Sequence, residues 1–182
     1  MTEAMLRHFI KKVTRGTGRF FRHRVMVCVP SGATDVERRA VLEAALEVGA
    51  RDAYLIEEPM AAAIGAGINV GEPRGNMVVD VGGGTSDIAV ISLGNIVISE
   101  SLRVGGDKFD EAISRYVRRN YNLAIGEQTS EDMKVRIGNC YSRGEVMTMN
   151  IRGRDLVLGL PREIQITSAG VAEAISEQVQ SI

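Results

Sequence analysis

Apolar and polar positions follow two different periods along this chain, and the changes of period divide it into elements. Met5, Phe9 and Val13, with Leu6 and Ile10 beside them, recur at helical spacing and predict an amphipathic helix that stops near Gly16. Val25 to Val29 is a compact β-branched run ended by Pro30 and Gly32, which predicts a strand. Thr34 to Glu37 then reads Thr-Asp-Val-Glu, the capping-box pattern, so a helix follows with Val41, Ala44, Ala45 and Val48 on one face and Gly49 at its end. A second apolar run, Ala53 to Ile56, completes a strand, helix, strand order that suggests a parallel crossover.

Pro59 opens an Ala-rich helix over Met60 to Ala66, and the stretch from Gly67 to Asn76 reads as a loop of a length suited to joining subdomains. Met77 to Val81, Ile88 to Ile91 and Ile96 to Leu102 are expected to be antiparallel strands joined by Gly-containing turns, giving two hairpins in series. Phe109, Ile113, Tyr116 and Val117 mark a helix, Glu131 to Ile137 another, and Val146 to Ile151 with Glu163 to Thr167 a smaller β unit around Gly153 and Gly159. A final helix starts near Ala169.

Composition narrows the class without naming a function. The chain has 182 residues, 45% of them hydrophobic and 25% charged, with 22 Lys and Arg against 23 Asp and Glu for a net charge of -1. That balance argues against a general nucleic-acid binder, and no apolar run approaches the ~20 residues of a spanning helix. Cys28 and Cys140 lie far apart with no metal-ligand spacing, so neither a disulfide framework nor a structural zinc site is expected, and a reducing cytoplasm fits best. Charge is nevertheless uneven. Arg7, Lys11, Lys12, Arg15, Arg19, Arg22 and Arg24 face a single acid, Glu3, over residues 1–24.

The segment richest in chemistry is DVGGGTSD, residues 80–87. Gly82, Gly83 and Gly84 let backbone N–H groups converge on an anion with no Cβ in the way. A Walker-type loop would carry a lysine and lead into a helix, and a dinucleotide loop would read GxGxxG before a helix; here the chain returns into another strand. Two readings stand on these residues alone: a phosphate held over a hairpin turn, with Thr85 adding a hydroxyl, or a tight glycine hairpin with no ligand.

DVGGGTSD resembles the second phosphate loop of the actin, Hsp70 and sugar-kinase superfamily, and IEEPMAAAIGAG, residues 56–67, resembles its connecting segment with an acid before proline. Within that superfamily, residues 29–67 and VGGDKFDEAISRYVRRNYNLAIGEQTSEDMKVRIG, residues 104–138, look like the MreB family of rod-shape-determining bacterial actin homologues. The resemblance implies an α/β, actin-like (ribonuclease H-like) ATPase fold, present here as part of the first subdomain and much of the second. It divides the chain at residues 1–70 and 71–182. ATP and magnesium are the implied cofactors.

Carried across, Glu58 matches the acid that orients the attacking water, Thr85 helps orient that water, and Asp80 holds magnesium through its water shell. Gly82, Gly83, Gly84 and Thr85 present donors to phosphate. Gly106 and Asp107 match the step near the nucleoside, and the stretch Ser130, Glu131, Asp132, Met133 and Lys134 matches the helix that flanks adenosine. Without the resemblance each has a plainer reading: Glu58 in a solvated Glu-Glu pair, Asp80 as a turn residue, Asp107 as a helix N-cap, and Glu131 with Lys134 as a surface ion pair.

Phe20 and Phe21, flanked by Arg19, Arg22 and Arg24, are adjacent aromatics outside core spacing. The family's corresponding loop enters the inner leaflet, and apolar insertion beside basic residues is the matching physics; the other reading packs one ring into the core. The resemblance further implies self-association into filaments, a peripheral cytoplasmic location at the inner membrane, and contact with the cell-shape and cell-wall synthesis machinery. The family's DxGT-type phosphate loop and its C-terminal glycine-rich segment have no match here, so the chain is expected to cover the middle of the family's length with an incomplete ATP cleft. Two other outcomes stay open, a fragment of an Hsp70-type chaperone ATPase and an inactive fragment.

Overall fold

The computed structural model describes residues 2–13, 23–141 and 144–182. Phe20 and Phe21 lie outside these described residues. By contacts the chain forms two compact units, residues 1–80 with 87–101 and residues 81–86 with 102–182. The division differs from the expected boundary at residue 70, because the chain passes from one unit to the other three times.

In the first unit, α1 (Thr2–Val13) packs against α2 (Asp35–Glu47), which follows β1 (Arg24–Val29) and precedes β2 (Asp52–Glu57). β1 and β2 pair in parallel from Arg24 opposite Asp52 to Val29 opposite Glu57, with α2 supplying the crossover. Local chemistry sets both ends of α2. The Thr34 N–H donates to Glu37 Oε2 at 2.8 Å and the Glu37 N–H to Thr34 Oγ1 at 3.3 Å, so two orphan donors are satisfied. At the other end Gly49 takes φ +104°, and the N–H groups of Gly49 and Ala50 donate to the carbonyls of Leu46 and Ala45, closing the helix as a Schellman motif.

α3 (Glu58–Gly65) starts directly at the end of β2, with Pro59 buried in its first turn. β3 (Asn76–Val81), β4 (Ser86–Ser92) and β5 (Asn95–Leu102) form one sheet in that order. Leu93 and Gly94, both at positive φ, make a two-residue turn that fixes β4 and β5 as an antiparallel hairpin. β4 places Asp87, Ala89 and Ile91 on its buried side. β3 reverses the usual pattern: Met77, Val79 and Val81, at 66%, 51% and 49% exposure, are its open positions.

The second unit holds α4 (Gly106–Tyr121), β6 (Leu123–Ala124), α5 (Glu127–Ile137), β7 (Thr148–Asp155), β8 (Pro161–Thr167) and α6 (Ser168–Ser181). β6, β7 and β8 pair antiparallel in that order. Ile113 and Val117 of α4 meet Leu123, Met133, Ile151 and Ile166, with Val171 and Ile175 from α6, in one buried cluster. Each such side chain contributes about 1.5–3 kcal/mol relative to exposure.

Asp155 pins the β7–β8 hairpin. Its Oδ1 accepts from the N–H groups of Val157 and Leu158 at 2.8 and 2.9 Å, and its Oδ2 accepts from Arg162 Nη1 at 2.6 Å. Arg162 Nη2 also donates to the Tyr121 carbonyl. The Leu158 and Val157 N–H groups, then Arg162, hold the Asp155 carboxyl below its ordinary value against the opposing effect of burial. A carboxyl depressed in the folded state contributes stability above its unfolded pKa and loses it as pH falls through the folded value. Asp155→Asn should therefore melt lower than the parent near pH 7, with the gap closing below about pH 4. Melting curves across that range check this, and a gap independent of pH would contradict it.

Candidate functional site

In the second unit, the glycine loop 81–86 is tied to the start of α4 by backbone bonds. The Gly106 N–H donates to the Gly82 carbonyl at 2.9 Å, and the Asp107 N–H to the Gly83 carbonyl at 2.8 Å. Ser86 Oγ donates to the Val104 carbonyl at 2.7 Å, and the Gly82 N–H closes the turn on the Thr85 carbonyl at 2.9 Å. The loop carbonyls thus face protein. Among the described residues the N–H groups of Gly83 and Gly84 are taken by no backbone carbonyl. Two exposed amides held in a fixed turn form a small anion-facing nest.

Gly105, which the sequence reading passed over, makes this docking possible. A Cβ there would stand 2.6 Å from the carbonyl oxygens of both Gly82 and Gly83. Asp107 is not the N-cap of α4; Gly105 occupies that position. The Asp107 carboxylate instead lies against Gly83, where an added Cβ would be 3.3 Å from its Oδ1.

Lys134 does not pair with Glu131. Its Nζ donates to Asp110 Oδ2 of α4 at 2.6 Å and to the Gly106 carbonyl at 3.2 Å, so it braces the loop-bearing end of α4 from α5. Both partners are largely buried, which removes the plain surface-pair reading. A cavity of about 680 Å³ opens between α4 and α5, lined by Asp107, Asp110, Glu111, Arg115, Ser130 and Glu131 among others. Its size is that of a small-molecule site. Its carboxylates suit hydroxyl and amine donors and disfavour phosphate, which leaves phosphate to the loop amides. Met133 turns inward into the hydrophobic cluster, Asp132 is half-buried, and neither lines the cavity.

In the first unit, Glu57 and Glu58 separate into different roles. Glu57 Oε1 accepts from Arg38 Nη2 at 3.1 Å. Glu58, at the first turn of α3, has its pKa raised by burial first, then by the negative charges of Asp87 and Asp80. Asp80 and Asp87, which belong to the same unit as Glu58, are the residues that flank the glycine loop in sequence. Asp87 is 2% exposed and its Oδ1 has no hydrogen-bond partner. The sequence reading gave it no role, although an acid on the inward face of an apolar strand was a visible signal. Among the described residues no group of three or more His, Cys, Asp or Glu could hold a metal ion.

A family model described as MreB/Mbl protein matches residues 1–182. The chain is 54% identical over 182 residues to the cell shape-determining protein MreB of Escherichia coli K12, covering 100% of this chain and 52% of that protein. It is 50% identical to the cell shape-determining protein Mbl of Bacillus subtilis, of which it covers 54%. It thus spans about half the length of the curated relatives it matches. Among solved structures, MreB5 of Spiroplasma citri bound to ADP aligns with a TM-score of 0.91 at 38% identity, over 98% of this chain and 53% of that one. The MamK double helical filament aligns at 0.74 and 20% identity, over 98% and 51%, a likeness of fold alone.

Proposed function

The chain belongs to the MreB/Mbl family, and from that premise we propose that it is the nucleotide-binding part of a bacterial actin-like filament subunit that determines rod cell shape by organising peripheral cell-wall synthesis. The fold is actin-like, in agreement with the expectation from sequence. The observation that carries the reading is the glycine loop: two unclaimed amides in a turn braced by α4, beside a cavity of nucleoside size. The relation to MreB5 structures bound to ADP and AMPPNP supports it. The Hsp70 reading is disfavoured, because the family match runs over all 182 residues.

In this reading the Gly83 and Gly84 amides and the Thr85 hydroxyl hold phosphate oxygens, while the acidic cavity takes ribose hydroxyls and the adenine amine. Glu58 accepts a hydrogen bond from the attacking water. Its raised pKa makes it a better proton acceptor than an ordinary carboxylate. Magnesium would be held through its water shell by Asp80 at the end of β3, where it would neutralise phosphate charge. Hydrolysis then acts as a timer for filament assembly. The test is sedimentation of a full-length form with and without ATP: nucleotide-dependent pelleting supports the filament reading, and none at any nucleotide state would contradict it.

The filament lies at the inner face of the cytoplasmic membrane. Among the described residues no helix is long and apolar enough to cross a membrane; in this reading attachment is peripheral, through Phe20 and Phe21 amid the basic 1–24 stretch. Changing both to Ser should weaken co-sedimentation with anionic liposomes by roughly tenfold or more, since each ring buries ~2 kcal/mol of apolar surface. Unchanged sedimentation would refute insertion there.

A further inference from the structure

We propose that Lys134 is a positioning residue for the glycine loop, aiming its phosphate-facing amides through Gly106 without touching the nucleoside, an inference that rests on the nucleotide reading above. Among the described residues that line the α4–α5 cavity, α5 supplies Ser130 and Glu131, but Lys134, three residues beyond Glu131 on that helix, is not one of them. Its ammonium is committed to α4, donating to Asp110 Oδ2 at 2.6 Å and to the Gly106 carbonyl at 3.2 Å. A Cβ at Gly106 would stand 3.2 Å from Nζ, so the glycine leaves the room that the ammonium fills.

Gly106 is thereby held at both of its polar groups, its carbonyl by Lys134 and its N–H by the Gly82 carbonyl at 2.9 Å. A trans peptide points its C=O and N–H in opposite directions. The bond from Gly106 to the Gly82 carbonyl therefore turns the Gly83 N–H away from α4, and the bond from Asp107 to the Gly83 carbonyl turns the Gly84 N–H the same way. These are the two amides assigned to phosphate. A charged donor makes a bond about twice as strong as a neutral one, so the lysine fixes the residue from which both amides take their aim, and Asp110 keeps the ammonium from turning to solvent.

The test is calorimetric titration of a full-length form with ATP and, separately, with adenosine. Lys134→Met keeps an unbranched apolar stem and removes the donors. It should weaken ATP binding roughly 10- to 100-fold while adenosine affinity stays within about twofold, because only the ligand that grips the loop feels the loss. The carboxylate of Asp110, left without its cation, should lower the melting temperature. Lys134→Met combined with Asp110→Asn removes that charge, and this variant should melt closer to the parent yet still bind ATP at least about tenfold more weakly. An equal loss for adenosine and ATP would make Lys134 a nucleoside contact and overturn the proposal. So would parent-like ATP affinity in either variant, or a parent that binds ATP but shows no affinity for adenosine, since a nucleoside cavity independent of the loop is the premise. A parent that binds no ATP would overturn the nucleotide reading beneath it.

Discussion

Glu58→Ala in a full-length form should keep ATP affinity within about twofold while slowing phosphate release by roughly 100-fold or more. The reason lies in the separation of the two neighbouring acids. Glu57 is held by Arg38 and carries a structural load, so Glu57→Ala is expected to act mainly on stability. Glu58 has no such partner among the described ion pairs, and burial with the charges of Asp87 and Asp80 raises its proton affinity. A group tuned in that way gains nothing for ATP binding, since a carboxylate repels phosphate, and its effect belongs to the chemical step. Quench-flow measurement of phosphate beside equilibrium binding checks both halves. Loss of binding would contradict the water-positioning role.

Gly105→Ala should abolish measurable ATP binding, a loss of at least about tenfold in affinity. The new methyl would stand 2.6 Å from two carbonyl oxygens, both backbone, so the loop must leave α4 and give up the bonds from Gly106 and Asp107. Gly84→Ala provides the contrast. A Cβ at Gly84 meets no heavy atom within 4 Å, so the unliganded fold should melt as the parent does. If phosphate approaches the Gly84 amide, that methyl still weakens ATP binding. Calorimetric titration with melting curves on the two variants separates a loop built to be close to protein from one built to be close to ligand.

What could be read from the sequence was what local chemistry decides. The Thr34 and Glu37 capping box and the Gly49 helix stop follow from residues within a few positions of each other, and the parallel pairing of β1 with β2 follows from the strand, helix, strand order those signals mark out. The glycine loop was visible for the same reason. Lys134 was harder, since Glu131 is three residues away on the same helix, whereas its true partner Asp110 is reached only after α4 and α5 pack. Gly105 carried no signal of its own, because the carbonyls that exclude a Cβ come from residues 82 and 83. The two-residue strand β6 carries too little pattern to register a period. The division near residue 70 treated the units as successive stretches, and a chain that leaves and re-enters a unit at 80, 86 and 101 has no single composition boundary.

The measurement closest to the central claim is titration of magnesium-ATP into this chain and into a form carrying the flanking segments of its relatives. Saturable one-to-one binding in the longer form, weakened by Gly84→Ala with its melting curve unchanged, is the predicted result. Absence of binding from both forms would contradict the assignment of the glycine loop and the α4–α5 cavity to a nucleotide.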